Sequence, residues 1–573
     1  MSEYLDFRPA KCKNCYRCLR ECPVKAIDVH EHQAKIIADR CILCGHCTLV
    51  CPQNAKVVHS ELQAVEAMLA GEGRVVASVA PSFVSSFAVE GFEPFVDALH
   101  RIGFDFAEET AVGARAVTRE YHRLLQSGRY RNLISSACPA VCRMIQLYYP
   151  DALKYLAPAD SPMIAHCKML RRRFPDSKIV FIGPCIAKKR EAAESGLVDG
   201  VLTFEELKTM LFNHHIDFDT ADSKGTLTDS QSLGKAKFYP MRRGIIKSFD
   251  SFLPDYEYVA VDGPDGCTEA LSSIDSLNGF FLEINSCTDG CINGPCSMIP
   301  YGKSIAAMAD VRAYVKRRLQ GAADSVEPTS SDEGIDLSAA YPHLHNTMRQ
   351  PSEEQIRAIL ERTGKHTPED ELNCGACGYQ TCRQKAVAVF NGYVDIDVCV
   401  PYMRERAESM SYEVIQNSPY GIVVMDNEFR LTDINSAARR LLGIDPSEEV
   451  KMRQASELFD TTNFVIAHSE QNNQSFQKLF VAKTSSYINQ TISILKDRQM
   501  MFSVLTDITE EVKYNERLSK VKNDTLAVTD EVVKKQMRVA QEIASLLGET
   551  TAETKVALLK LKQTLQREEK DEL

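Results

Sequence analysis

The 573-residue chain contains no tryptophan, no cysteine beyond Cys399 and no long uninterrupted apolar run. A membrane-crossing helix needs on the order of 18 consecutive apolar residues, so no membrane span is expected. The opening MSEYLDFRPAKC has neither the basic nor the apolar stretch of a secretory signal, which points to a cytoplasmic location. Positive charge is not in excess either: 67 Lys and Arg stand against 78 Asp and Glu, a net charge of -11. That balance leaves no electrostatic footprint for nucleic acid. Hydrophobic content of 44% and charged content of 25% are ordinary for a globular protein, and the length corresponds to about four domains. What the chain has in quantity is cysteine, 20 in all. In a reducing cytoplasm thiols are kept free, so metal ligation is expected rather than disulfides.

Cysteine density divides the chain. Residues 1–60 hold eight cysteines in two copies of one pattern. Residues 61–320 hold eight more, scattered among alternating strand-like and helix-like segments. GRVVASVAP (73–81) and SKIVFIGPC (177–185) are apolar runs ending at Pro or Gly, as buried strands of an α/β core do. Residues 321–352 are polar and punctuated, and read as a linker. Residues 353–405 carry four cysteines in a compact group. Residues 406–511 alternate strand-like runs (GIVVMD, SYINQTISIL, MFSVLTDI) with short helical stretches, an α+β pattern. Residues 512–573 read as helical. Leu518, Val521, Thr525, Val528 and Val532 recur three and four apart, which suits either a coiled-coil seam or a helix packed on its own domain. Gly548 is placed to end one helix, and Thr550 with Glu553 forms a capping box for another. The fold class is thus multidomain, α/β and α+β, with C-terminal helices.

The chemistry lies in the cysteine spacing. Cys12, Cys15, Cys18 and Cys22 spell C-x2-C-x2-C-x3-C-P, and Cys41, Cys44, Cys47 and Cys51 repeat it. Three thiolates on one tight loop hold one face of a cubane, and the fourth cysteine of each run ligates the other cluster. One [4Fe-4S] cluster is therefore expected on Cys12, Cys15, Cys18 and Cys51, the other on Cys41, Cys44, Cys47 and Cys22. Zinc is the alternative, weakened by the doubling. This segment resembles a bacterial two-cluster ferredoxin, an electron wire. In ELNCGACGYQTC, Cys374, Cys377 and Cys382 lie close together, with Cys399 following in DVCVP. The spacing fits a further [4Fe-4S] cluster, with structural zinc left open, and resembles the small Fe–S domain of several redox enzymes and sensors. Gly375 and Gly378 let the backbone fold tightly there.

Between these groups stand ISSACPAVC (134–142), FIGPCIAKKRE (181–191) and FLEINSCTDGCINGPC (281–296). Each alone has a plain explanation: Cys185 as a strand-end thiol, Cys287 and Cys291 as neighbours on a helix face. Together and in this order they resemble the three loops of the [FeFe]-hydrogenases, over most of residues 61–320. The resemblance implies an H-cluster: a [4Fe-4S] cubane joined to a di-iron unit carrying CO, cyanide and an azadithiolate bridge. It assigns the ligand positions to Cys138, Cys185, Cys287 and Cys291, with Cys291 bridging to the di-iron unit. Lys188 takes the position of the lysine that binds a cyanide, a reasonable role for an ammonium in a closed site. The implied reaction is heterolytic cleavage of H2 at an open iron position, with the bridgehead amine as first base.

The departures are as informative. Catalytic members have a second cysteine before the first ligand, which passes protons to the amine; here Ala137 stands there. The glutamates that continue the relay are expected within AVGARAVTREYHRLL, where only Glu120 remains. Gly183 replaces a methionine and Asn285–Ser286 a methionine–alanine pair, both positions around the cofactor. Gly294–Pro295–Cys296 replaces a glycine-rich stretch, and Val141 replaces a tryptophan. A positioned acid–base group contributes about 10²–10⁴-fold, so low turnover is expected. Cys142, Cys167, Cys267 and Cys296 read as buried small hydrophobes, with Cys296 near enough to the third loop to line the pocket.

Residues 412–510 resemble a PAS domain, on IQNSPYGIVVMDNEFRLTDINSAARRLLG (415–443) and LTDITE (505–510). PAS folds dimerise, sense ligands and pass signals into following helices; dimerisation without a ligand is the simpler expectation here. No histidine-kinase or cyclase motif follows. The expected function is a sensory [FeFe]-hydrogenase that oxidises H2 slowly and reversibly and relays redox state through its clusters and PAS domain. Expected partners are H2, an electron donor or acceptor protein, a kinase or phosphatase, and a second copy of the chain, with neither nucleic acid nor membrane. The alternatives are an electron-transferring catalytic subunit of a multi-subunit hydrogenase, and a redox-sensing scaffold lacking the di-iron unit.

Overall fold

The short spans between the N-terminal cysteines leave room only for turns and single-turn helices, and the repeat folds as two matching halves. Each half carries one such helix, Arg17–Arg20 and Cys47-bearing His46–Leu49. The halves are framed by antiparallel pairs: β1 (Leu5–Phe7) with β4 (Lys56–Val58), and β2 (Ile27–His30) with β3 (Gln33–Ile36). The computed structural model describes residues 3–31, 33–218, 234–300, 303–320, 334–495, 499–547 and 552–567. The chain falls into two units, Met1–Met403 and Arg404–Leu573.

In the first unit the apolar runs become parallel strands. β5 (Val75–Val79) is buried at every residue and pairs in parallel with β6 (Phe106–Glu109) and with β8 (Lys178–Gly183), which pairs with β9 (Gly200–Thr203). A second parallel sheet runs in the order β10-β11-β7, from Glu257–Asp262, Phe280–Asn285 and Asn132–Ile134. Burial on both faces is why β5 and β8 are continuously apolar rather than alternating. Helix Ala111–Gln126 turns Ala114, Val117, Tyr121 and Leu125 inward, three to four residues apart, as one buried face requires.

The segment read as a linker over 321–352 is a docked strap where it is described. Leu337 and Pro158 carbonyls accept from Asp160 and Ala339, and Leu344 donates to Gln146. Tyr341 Oη donates to the Ala159 carbonyl at 2.9 Å. Polar composition indicates exposure, not freedom, because main-chain pairing along the unit uses backbone groups that composition does not report. The following cysteine-bearing segment starts two helices with capping boxes, Ser352 with Gln355 and Thr381 with Gln384. It joins the N-terminal repeat through a parallel bridge from Val29 to Val394. Its last helix, Val400–Gln416, runs through the boundary expected at 405/406.

The second unit holds the α+β pattern as a five-stranded antiparallel sheet, β13-β12-β16-β15-β14. Its strands are β12 (Gly421–Asp426), β13 (Leu431–Ile434), β14 (Gln474–Val481), β15 (Ser486–Leu495) and β16 (Met500–Asp507). Buried Asn435 starts helix Ser436–Leu442 by accepting from the Ala438 amide, while its Nδ2 donates to the Ile415 and Tyr420 carbonyls. Helix Thr509–Leu547 follows, about 58 Å long at 1.5 Å per residue. Leu518, Val521, Val528 and Val532 are all exposed along it. The helix ends before Gly548; Gly548 and Thr550 lie outside the described residues.

Candidate metal centres

Cys12, Cys15, Cys18 and Cys51 line one cavity of about 410 Å³, with Lys56 and Pro52 at its wall. Asn14 and Tyr16 take positive φ, 52° and 55°, bending the loop so that its thiols share one side. The second repeat brings Cys22 to Cys41, Cys44 and Cys47: each of these three lies within electrostatic reach of Cys22. Burial pushes the Cys41 thiol up to about 11 and those of Cys44 and Cys47 higher still. Backbone amides of Ala26, Leu43 and Ala55 donate to the sulfurs of Cys22, Cys41 and Cys51 at 3.3–3.4 Å. Cys51 thus stands with the first run of cysteines and Cys22 with the second.

The central site is built at strand ends. Cys138 follows β7, Cys185 follows β8 and Cys287 follows β11, so all three loops leave the C-terminal edges of parallel strands. In open α/β sheets such edges form the ligand crevice. Cys291 opens a single 3-10 turn, Cys291–Asn293, rather than sharing a helix face with Cys287. Cys287 lies within reach of Cys291, Cys185, Cys138 and the Cys44 of the N-terminal repeat. Burial raises its thiol well above the usual range, and that of Cys185 to about 11. Burial disfavours Cys185, Cys287 and Cys291 as isolated thiolates, which matches a multivalent iron centre supplying the positive charge they lack.

Lys188 is buried, with Nζ donating to Glu191 at 2.6 Å and to Ser161 at 2.9 Å. Burial works most strongly against its ammonium, but Glu191 together with Cys185 and Cys138 holds it above the usual lysine value. Ala137 is half-buried between Ser136 and Cys138 and carries nothing that holds a proton. Glu120 is engaged by Arg123 through two bonds of 2.6 and 2.8 Å on helix Ala111–Gln126. At Gly183 a side chain would meet the Phe181 ring at 2.8 Å and Ala80 Cβ at 3.1 Å, so the methionine position is filled by those neighbours. Asn285 Nδ2 donates to Glu283 at 3.4 Å, and Ser286 lines a groove with Cys287 and Cys296. Cys142, Cys167 and Cys267 are buried, as packing thiols would be, and Cys296 lies near Cys185.

Sequence reasoning missed Glu283, Glu191 and Ser161. Glu283 is buried in β11 and accepts from the Gly244 and Ile246 amides at 3.1 and 2.9 Å. Burial pushes its carboxyl up to about 7 against these donors. A single carboxylate in the run FFLEIN carries no spacing by which to recognise it.

Cys374, Cys377, Cys382 and Cys399 line a cavity of about 490 Å³ together with Lys365 and Lys385. Gly378, at φ 95°, brings this loop against the Arg20 amide, where a Cβ would stand 3.0 Å away. Gly45, at φ 72°, plays the same part at the other junction, a Cβ there standing 2.5 Å from Pro295. The N-terminal repeat therefore touches both the central site's third loop and the 374–399 site. Among the described residues, no three Cys, His, Asp or Glu converge on a point as if round a single ion.

Cysteine groups gathered from separate loops, one of them at the strand ends of a parallel α/β core, are what an iron–sulfur protein presents. Residues 73–295 match the family model described as iron only hydrogenase large subunit, C-terminal domain, and residues 5–65 the 4Fe-4S dicluster domain. Residues 370–401 match a putative Fe–S cluster family and residues 410–478 the PAS domain. The chain is an [FeFe]-hydrogenase-like protein with Fe–S and PAS domains. It is similar to iron hydrogenase 1 of Clostridium pasteurianum, at 27% identity over 40% of this chain and 50% of that one. It is also similar to NADP-reducing hydrogenase subunit HndD of Solidesulfovibrio fructosivorans, at 26% identity over 36% of this chain and 42% of that one. The chain spans half or less of the length of these relatives. A solved [FeFe]-hydrogenase structure, HydA(deltaEFG), aligns at 18% identity and a TM-score of 0.36, covering 45% of this chain and 88% of the other. No helix among the described residues is long and apolar enough to cross a membrane.

Proposed function

We propose that this protein is a sensory [FeFe]-hydrogenase, which binds H2, turns it over slowly and passes the resulting redox state to a signalling partner. The observation that carries this reading is the pairing of a complete thiol set with a missing proton group. Cys138, Cys185, Cys287 and Cys291 gather beside Lys188, while position 137 holds alanine. The H-cluster, when bound, supplies an open iron position at which H2 is split. Cys138, Cys185, Cys287 and Cys291 would hold it. Lys188, fixed by Glu191 and Ser161, would donate to an anionic ligand of that cofactor such as cyanide, since a buried ammonium is a strong donor. Ala137 cannot accept the proton that leaves, and Glu120 is committed to Arg123. The chain would bind and orient the cofactor, but neither of these two positions gives the proton a fast way out.

Electrons leave through Cys44 and Gly45, where the N-terminal repeat meets the third loop. Cys41, Cys44, Cys47 and Cys22 hold the nearer [4Fe-4S] cluster, Cys12, Cys15, Cys18 and Cys51 the farther one, and Cys374, Cys377, Cys382 and Cys399 a third. Four cysteines brought to one cavity at each of the latter two sites support a cluster there. The PAS domain and helix Thr509–Leu547 carry the state to a kinase or phosphatase, in a homodimer of this cytoplasmic chain. The test is the H2-oxidation rate of the fully matured protein with an artificial electron acceptor. A slow rate is expected; a rate matching catalytic hydrogenases would contradict the sensory reading.

A further inference from the structure

The 374–399 cavity differs from the others in its cations. Lys365 and Lys385 both line it and are only 8% and 6% exposed. Lys365 Nζ donates to the Thr363 carbonyl at 2.9 Å, to Thr363 Oγ1 at 3.1 Å and to Cys399 Sγ at 3.7 Å. Lys385 Nζ donates to the Ile396 carbonyl at 2.5 Å. Among the described residues neither ammonium meets a carboxylate at ion-pair distance. The unit's other buried lysines all do: Lys188 with Glu191, Lys189 with Glu206, Lys237 with Glu109. At the 12–51 site the wall cation Lys56 also reaches a cysteine, Cys18, but it is only half-buried, lies over the Phe7 ring at 3.2 Å and, among the described residues, has no second buried lysine beside it.

Two buried cations without a carboxylate are costly unless the site itself brings negative charge. Four thiolates on a cubane bring it, and reduction adds one negative charge more. Out of water the attraction is weakly screened, so each ammonium favours the reduced over the oxidised cluster. Net charge around a cluster is one of the factors that set its potential.

We propose that Lys365 and Lys385 make the Cys374/Cys377/Cys382/Cys399 site the electron sink of the chain. Oxidation of one H2 releases two protons at the central site and two electrons, which pass one at a time through the Cys22/Cys41/Cys44/Cys47 site; the first comes to rest at the 374–399 cluster and the second on an N-terminal cluster, with no bond made and no proton needed at the sink. Cys399 immediately precedes helix Val400–Gln416, which leads in sequence to the PAS domain. The sink is thus the last redox site before the output half of the chain. This rests on reading 374–399 as a [4Fe-4S] site, and not on the di-iron unit or on slow turnover.

The test is an EPR-monitored redox titration of the full-length chain carrying its iron–sulfur clusters. In the wild type the 374–399 cluster is expected to be reduced first, at the most positive midpoint of the three cubanes outside the central site. Lys365→Met and Lys385→Met should each shift that midpoint to more negative potential and leave the others in place, while Lys385→Arg, which keeps the charge, should hold it near the wild-type value. The cluster that responds identifies its own signal. A wild-type 374–399 cluster reduced last, or midpoints unmoved in both Met variants, would overturn the proposal and leave the H2-sensing reading standing. Where a Met variant loses its cluster, shown by iron content, the wild-type order and Lys385→Arg decide. Zinc in place of iron at this site would overturn the cluster assignment and the sink together.

Discussion

On the proposed reading, position 137 sets the pace of the central site, because the residue before Cys138 is where a proton would be handed on. Ala137→Cys should raise the H2-oxidation rate by about 10²–10⁴-fold at equal cluster occupancy, the usual worth of a positioned acid–base group. An unchanged rate would mean that the proton leaves by another route. Glu283 offers a second residue-scale measurement. Its carboxyl titrates near 7 in the fold against an ordinary 4.5, because burial disfavours the anion. Between those values the folded chain holds a proton that the unfolded chain releases, so this group's contribution falls as pH rises and its cost is complete above about pH 7. Glu283→Gln removes that dependence. The difference in melting temperature, variant minus wild type, should therefore grow as pH rises from about 4.5 to about 7; a difference constant with pH would contradict it. The cysteines were legible in the sequence because ligand spacing along a loop is a local property. Glu191, Glu283, Lys365 and Lys385 were not, since what distinguishes each is burial against residues distant in sequence.

At the scale of elements, function is placed by where strands and loops stop. The apolar runs ending in Pro or Gly were legible as β5 and β8, and the loop after β8 carries Cys185. The strap was not legible, because main-chain pairing of residues 337–344 to Pro158, Asp160 and Gln146 leaves no trace in composition. Nor was helix Val400–Gln416 legible as one element across a domain boundary. Two glycines hold the junctions, and Gly45 gives the sharper test. Gly45→Ala puts a Cβ 2.5 Å from Pro295 at a φ of 72°, which side chains rarely adopt. The strain should cost on the order of 1–3 kcal/mol, read as a lower unfolding midpoint. It should also slow reduction of the N-terminal clusters by H2 in the matured protein. Normal stability together with normal electron transfer would show that this contact does not join the two domains.

For the whole molecule, the division into an iron–sulfur unit and a PAS unit was legible from the abrupt end of cysteine at 399. Whether the C-terminal seam packs on its own domain was not, because one periodicity serves both arrangements. In the structure Leu518, Val521, Val528 and Val532 are 52–62% exposed, which fits a seam completed by a second copy. Sedimentation should give a dimer for the full-length chain and a monomer for the double variant Val521→Asp with Val528→Asp; a monomeric wild type would contradict the homodimer. What the core site does with H2 is read in the infrared spectrum of the matured full-length protein, in the CO and cyanide stretching region, under H2 and then under nitrogen. Bands of both ligands that shift reversibly with H2 are expected. Absence of those bands, or bands that H2 leaves unmoved, would contradict the sensory reading.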